Sequence, residues 1–173
     1  MPTSRNPQPK FIVDEMAGRL ARWLRLAGFD TVYFSRASNG HLVGQALREG
    51  RVILTRSRSL LSRRVLPPTL VLKSEFPLEQ LRQVVREMSL ELDPGRFFTR
   101  CGFCNQILEA ADPDEVSREV PPYVFRTLRF FYRCQECGRI YWAGTHQASI
   151  LPRLRALLPP EKGEGGKTVG SKQ

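Results

Sequence analysis

Four cysteines stand in two pairs of equal spacing, Cys101-Gly-Phe-Cys104 and Cys134-Gln-Glu-Cys137, and they are all the cysteines of the chain. A CxxC pair presents two thiolates from one short knuckle, and two such knuckles supply the four sulfurs of a tetrahedral zinc site. Gly102 and Gly138 are the residues expected to ease the tight backbone there. The 29 residues between the pairs exceed the usual zinc-ribbon interval, which predicts a ribbon carrying an excursion. The competing readings are two disulfides or a redox pair. Against them, the polar N-terminus shows no signal-peptide core, and the cytoplasm, the expected location, keeps thiols reduced. A closed shell of four sulfurs leaves no position for water or substrate, so the zinc is expected to be structural.

The second chemical signal is charge. The chain carries a net charge of +10 with 27 basic residues, of which 22 are arginine. The planar guanidinium pairs bidentately with phosphate, so nucleic acid is the expected partner class, with a coding bias toward arginine as the bland alternative. DNA or an acidic protein surface are weaker alternatives to RNA. No stretch is long and apolar enough to predict a membrane span.

Candidate acids and bases fall at the ends of predicted strands. Phe11-Ile-Val13 reads as a buried strand ending in Asp14, where a metal-binding acid or a helix N-cap would stand. From Glu15 the period changes. Met16, Leu20, Trp23, Leu24 and Ala27 share one helical face, while Arg19, Arg22 and Arg25 share the other, either as a solvated face or as RNA contacts. Gly28 is placed to end that helix. Further strands are expected at Thr31–Phe34, Arg51–Thr55 and Thr69–Leu72, and helices at His41–Glu49 and from Pro77 along Leu78, Leu81, Val85, Met88 and Leu92. Strands alternating with helices predict an α/β fold with a Rossmannoid parallel sheet, in which function gathers beyond the carboxyl ends of the strands. The third strand opens there into a basic corner carrying Arg56, Arg58, Arg63 and Arg64.

Asp93-Pro-Gly95 is a turn and the expected boundary between an α/β domain at 10–95 and a zinc-ribbon module at 96–158, with disordered ends at 1–9 and 159–173. Residues 111–122 are acidic and proline-containing and read as a surface loop. Ile140–His146 predicts a ribbon strand with a turn at Gly144, and a short helix is expected at 150–158. Tyr141 and Trp142 could stack on bases, though packing over the knuckles is the plainer role. His146 is not needed by a four-cysteine site and is either a phosphate contact, an acid/base group or a structural hydrogen-bonder. His41 is expected at the surface.

Over roughly residues 10–156 the sequence resembles the Mut-seven C-terminal ribonuclease domain family, a PIN-like nuclease fold with an attached zinc ribbon. The resemblance rests on Phe11-Ile-Val-Asp14 through Gly18 and Arg19 to Gly28-Phe-Asp30, on Arg51-Val-Ile-Leu-Thr55-Arg56, on Gln80, and on Phe98–Asn105 and Cys134–His146. It implies RNA as substrate and a cluster of carboxylates holding Mg²⁺ or Mn²⁺, which would activate water for phosphodiester hydrolysis. The chain departs from that pattern at two acidic positions, occupied here by Ser57 and Asn39, leaving Asp14 with Glu75 as a possible helper. Neutral residues beside Arg56, Arg58, Arg63 and Arg64 attract phosphate rather than repel it. The expected function is therefore binding of RNA or a ribonucleoprotein through these arginines with Arg19, Arg22 and His146, with weak or no cleavage. The alternative is an active Mg²⁺- or Mn²⁺-dependent ribonuclease working with a reduced carboxylate set.

Overall fold

Phe11, Ile12 and Val13 are each fully buried, as a strand covered on both faces requires. The computed structural model describes residues 8–35 and 38–159, so most of the two ends expected to be disordered lie outside the described residues. Strand β1 (Lys10–Val13) lies at the centre of a four-stranded parallel sheet, between β2 (Thr31–Tyr33) and β3 (Arg51–Thr55), with β4 (Thr69–Val71) beyond β3. Helix α1 (Gly18–Leu26) returns from β1 to β2, α2 (Asn39–Glu49) crosses from β2 to β3, and α3 (Pro77–Glu87) follows β4.

The alternation of side chains along the strands sorts the helices onto two faces. Phe11, Val13 and Leu54 pack with Leu20, Ala21 and Leu24 of α1 and with Leu81 and Val84 of α3. Ile12 and Ile53, one residue out of phase, pack with Leu42, Val43 and Ala46 of α2 and with Leu60. The edge strand β4 is closed by a side chain: Gln83 of α3 donates to Val71 O at 2.9 Å and accepts from Lys73 N at 2.9 Å. Gln83 thereby satisfies backbone groups that a free edge would leave to water.

Several local expectations shift. The turn Glu15–Ala17 is a 3-10 turn, and Met16, expected on the apolar face, is 59 % exposed. Helix α3 stops at Glu87 instead of running to Leu92, because Ser89 adopts a left-handed φ of 49°. Arg25, expected on the solvated face of α1, is only 7 % exposed. Gly28 does end α1, with φ 94°, and a Cβ there would lie 2.7 Å from the carbonyl oxygen of Arg96.

The C-terminal half builds an antiparallel sheet of β5 (Glu109–Ala111), β6 (Phe131–Arg133) and β7 (Ile140–Trp142). The excursion between the cysteine pairs is more than a surface loop. Its two short helices, α4 (Pro113–Val116) and α5 (Pro122–Thr127), bury Val116, Val120 and Val124 against Phe131. The last helix, α6, spans Thr145–Arg155, and its Leu154 is fully buried in the core that contains Phe11 and Leu20. A residue assigned by sequence to the ribbon stretch thus belongs to the packing of the parallel sheet.

Candidate metal centre and strand-end corner

The two knuckles have the same backbone. The N–H of the residue after each pair bonds the first cysteine's carbonyl, Asn105 to Cys101 at 3.0 Å and Gly138 to Cys134 at 2.8 Å. The first cysteine's own N–H then bonds two residues beyond the pair, Cys101 to Gln106 O at 2.8 Å and Cys134 to Arg139 O at 3.0 Å. Both turns need a left-handed residue at the fifth position, supplied by Gly138 with φ 71° and by Asn105 with φ 73°. Asparagine tolerates that region better than other non-glycine residues. Gly102, expected to relieve the first knuckle, has no left-handed φ and instead lies under the side chain of Arg22.

The four sulfur atoms lie within 4.8 Å of one another, and Cys101 Sγ is 3.8 Å from Cys137 Sγ. Tetrahedral zinc–sulfur bonds of ~2.3 Å put neighbouring sulfurs about 3.8 Å apart, whereas a disulfide needs ~2.05 Å. All four thiols are free. The N–H groups of Phe103 and Cys104 point at Cys101 Sγ from 3.4 Å each, and Tyr141 Oη lies 3.0 Å from it. Such donors support a metal-bound thiolate. Burial and the nearby Cys101 sulfur hold the Tyr141 hydroxyl well above its ordinary value, so it is available as a donor. Burial raises the Cys137 thiol, but hydrogen bonds from Arg139 and with the Cys104 and Cys134 sulfurs together outweigh it and bring the group down to about 6. Burial and the neighbouring thiols push Cys104 up. Four crowded thiols cannot all ionise without a cation among them. The cluster can hold a metal such as zinc.

The first knuckle is fastened to the parallel sheet by side chains. Arg25 Nε donates to Thr31 O at 2.8 Å, and its Nη1 donates to Gly102 O at 3.2 Å and Phe103 O at 2.6 Å. Asn105 accepts from Thr31 N at 2.9 Å and donates to Asp30 Oδ1 at 2.8 Å, which Arg51 Nη1 also reaches at 2.7 Å. Arg100 joins Gly28 O to Asn105 O. None of this was visible as a site in the sequence. The available hint was an arginine on a face otherwise read as solvated, one turn beyond Arg22.

At the carboxyl ends of β1 and β3, Asp14 is 9 % exposed. Its Oδ1 accepts from Met16 N at 3.0 Å, so it is the N-cap of the turn that follows, and its Oδ2 accepts from the Thr55 hydroxyl. Thr55 Oγ1 in turn accepts from Ser57 N at 2.9 Å, which sets position 57 one hydroxyl away from Asp14. Ser57 Oγ itself pairs with Ser59 Oγ at 2.7 Å. An adjoining cleft of about 720 Å³ is lined by Glu15, Glu75, Arg19, Arg56, Tyr33 and the buried Gln80, among others. It brings the sequence candidates Glu75, Arg19 and Arg56 together, and it adds Glu15, the first residue of the turn after Asp14.

Arg58, Arg63 and Arg64 lie exposed on and after the 3-10 turn Arg58–Ser62, and Arg63 Nη1 approaches Gly40 at the start of α2. Asn39 opens α2 in solvent. His41 is exposed and pairs with Ser38 Oγ at 2.9 Å. The side chain of His146 lies outside the described residues. Trp23 is half-buried against the main core. Among the described residues no carboxylate pairs with Arg19, Arg22, Arg56, Arg58, Arg63 or Arg64.

Among the described residues, the cysteines are also the one group of three or more His, Cys, Asp or Glu close enough to share an ion. A hard cation such as Mg²⁺ takes oxygen ligands. The thiolate cluster fits zinc, and at the corner no three such groups come within reach of one ion among the described residues. No helix among the described residues is long and apolar enough to cross a membrane. A family model described as the Mut7-C RNAse domain matches residues 9–154. No curated protein and no solved structure gives a match.

Proposed function

The chain belongs to the Mut7-C RNAse domain family, and we propose that within it this protein binds RNA at the strand-end corner and cleaves it slowly or not at all, with zinc held structurally by Cys101, Cys104, Cys134 and Cys137. The observation that carries this reading is the composition of the corner. Asp14 is already engaged by Met16 N and Thr55, the neutral Ser57 lies one hydroxyl away from it, and among the described residues no carboxylate pairs with Arg56, Arg58, Arg63 or Arg64. Unpaired guanidinium groups beside a single buried carboxylate attract phosphate and give a divalent cation little to hold. Arg19 and Arg22 extend the same positive surface along α1.

A second reading, an active metal-dependent ribonuclease, draws on Glu15 and Glu75 lining one cleft. Both carboxylates share that cleft with Arg19 and Arg56, whose positive charge disfavours a cation there.

Two measurements test the proposal. Affinity for single-stranded RNA should fall steeply with salt, and replacing Arg56, Arg58, Arg63 and Arg64 by alanine should flatten the log–log slope by about 3, at roughly 0.7 per phosphate contact on a single strand. In Mg²⁺ or Mn²⁺ the parent should leave an RNA pool largely intact, and Ser57→Asp with Asn39→Asp should raise cleavage above it. Vigorous cleavage by the parent that is lost in Asp14→Asn would return the chain to the active nucleases.

A further inference from the structure

The ribbon sheet has two unlike faces. Phe131 of β6, paired with Trp142 of β7 and Ala111 of β5, is 2 % exposed and packs with Val116, Val120 and Val124 of the excursion. Tyr132, one residue on, points the other way and stands opposite Tyr141 and Ala110. Phe130 is two residues before Tyr132 and shares its side of the chain. On this face Phe130 is 78 % and Tyr132 44 % exposed, beside Ile107 at 62 %.

These rings border a groove of about 580 Å³, whose wall also includes Phe97, Phe98 and Trp142. Phe98 lines it with φ 60°, a region that a bulky residue enters only when its surroundings fix it, and its N–H is held by Leu26 O at 2.8 Å. Among the described residues that line the groove, the one charged side chain is that of Arg22. Its neighbour one turn earlier on α1, Arg19, lines the strand-end cleft. Arginines three apart lie side by side on a helix, so one cationic ridge joins cleft and groove. Arg129, exposed next to Phe130, adds a second positive charge at that end.

We propose that this face is a base-stacking platform for single-stranded RNA: a strand whose phosphates follow Arg19 and Arg22 out of the cleft lays unpaired bases on Phe130 and Tyr132. The proposal rests on the RNA-binding reading above and adds to it a second site and a preference for unpaired RNA. Rows of exposed aromatics with arginines beside them bind single strands because every base has a face to stack, whereas a duplex keeps its bases inside. No carboxylate is among the described residues that line the groove, so it suits an anion, and the exposed rings beside arginine favour unpaired bases over an acidic peptide.

The test uses the zinc-loaded full chain and a labelled twelve-nucleotide RNA, single-stranded or annealed to its complement, with 2-aminopurine as a reporter of stacking. Both rings are exposed, so Phe130→Ala with Tyr132→Ala should keep the fold, checked by circular dichroism and zinc content. The single strand should bind at least tenfold more weakly to this variant, with an unchanged salt slope and with the 2-aminopurine quench lost. Arg19→Ala with Arg22→Ala should instead flatten the slope by about 1.4.

Single-strand affinity within twofold of the parent in a folded aromatic variant overturns the platform but leaves the strand-end reading standing, since the arginine variants of the corner still report on that. Equal affinity for duplex and single strand overturns it as well. If no RNA binds at any salt concentration, the strand-end reading falls and the platform with it. If the aromatic variant abolishes self-association while leaving RNA affinity untouched, the face is a protein-docking surface and the proposal is wrong.

Discussion

Arg25→Met asks whether the metal centre and the parallel sheet form one cooperative unit. The guanidinium is buried, and it bonds three carbonyls that belong to two parts of the chain, Thr31 on one side and Gly102 and Phe103 on the other. A hydrogen bond from a charged donor contributes about 1.5–3 kcal/mol, so the three give a gross loss of roughly 4–9 kcal/mol. Methionine fills much of the volume and removes the cost of burying a charge, itself several kcal/mol, so a net loss of about 3 kcal/mol is expected. In a chain of this size that corresponds to a fall of about 6–12 °C in Tm. The assay is thermal melting by far-UV circular dichroism with and without a zinc chelator, with release of zinc followed by a chromogenic chelator. Arg48→Met, on the exposed face of α2, serves as control and should stay within about 0.5 kcal/mol of the parent. Because Leu154 also ties α6 into the main core, chelation should lower the temperature of a single transition. An Arg25→Met variant that melts within about 2 °C of the parent, or a chelated protein in which the sheet melts unchanged in a separate transition, would refute the coupling.

Asp30 gives a pH-dependent test. Burial raises its carboxyl, but the hydrogen bonds from Arg51 and Asn105 outweigh this and hold it below the ordinary 3.8. A folded-state value below the unfolded one means that this contribution is present above about pH 4 and is lost as the pH falls through the folded value. Denaturant titrations from pH 7 to pH 2.5 should show a shallower acid limb, and lower stability at pH 7, for Asp30→Asn; an acid limb as steep as the parent's would remove Asp30 from the account. Gly28→Ala should lower stability by about 1–3 kcal/mol in chemical denaturation, since its φ of 94° is strained for alanine and the added Cβ would meet the Arg96 carbonyl. A neutral result would mean that the end of α1 can move away from Arg96.

The order of strands and helices in the first half was legible because each apolar run had a single reading. A continuous Phe-Ile-Val in a parallel strand and a 3.6-residue stripe in a helix call for different periods, and the glycine at 28 ended α1 where a left-handed residue was needed. The cysteine cluster was legible for a related reason, since the ligand spacing is local. What was not legible depends on neighbours distant in sequence. Arg25 reads as a surface residue until the first knuckle, 77 residues away, covers it. Asn105 reads as one polar residue among many until the symmetry of the two knuckles shows that it takes the place of Gly138.

The strand-end corner illustrates a further limit of local reading. The identities of Ser57 and Asn39 were plain in the sequence, and so was the positive charge around them. The N-cap role of Asp14 was one of its two sequence readings, but its second partner was not legible, because it is a hydroxyl from the adjacent strand. Once both are present, the same carboxylate that starts a metal site in an acidic corner becomes the N-cap of a turn in a basic one. On the function proposed above, the chemistry of the corner is set less by the residue at position 14 than by the charge of the residues that surround it. Adding acids at 57 and 39, rather than altering Asp14 alone, is the change that should move the corner between binding and cleavage.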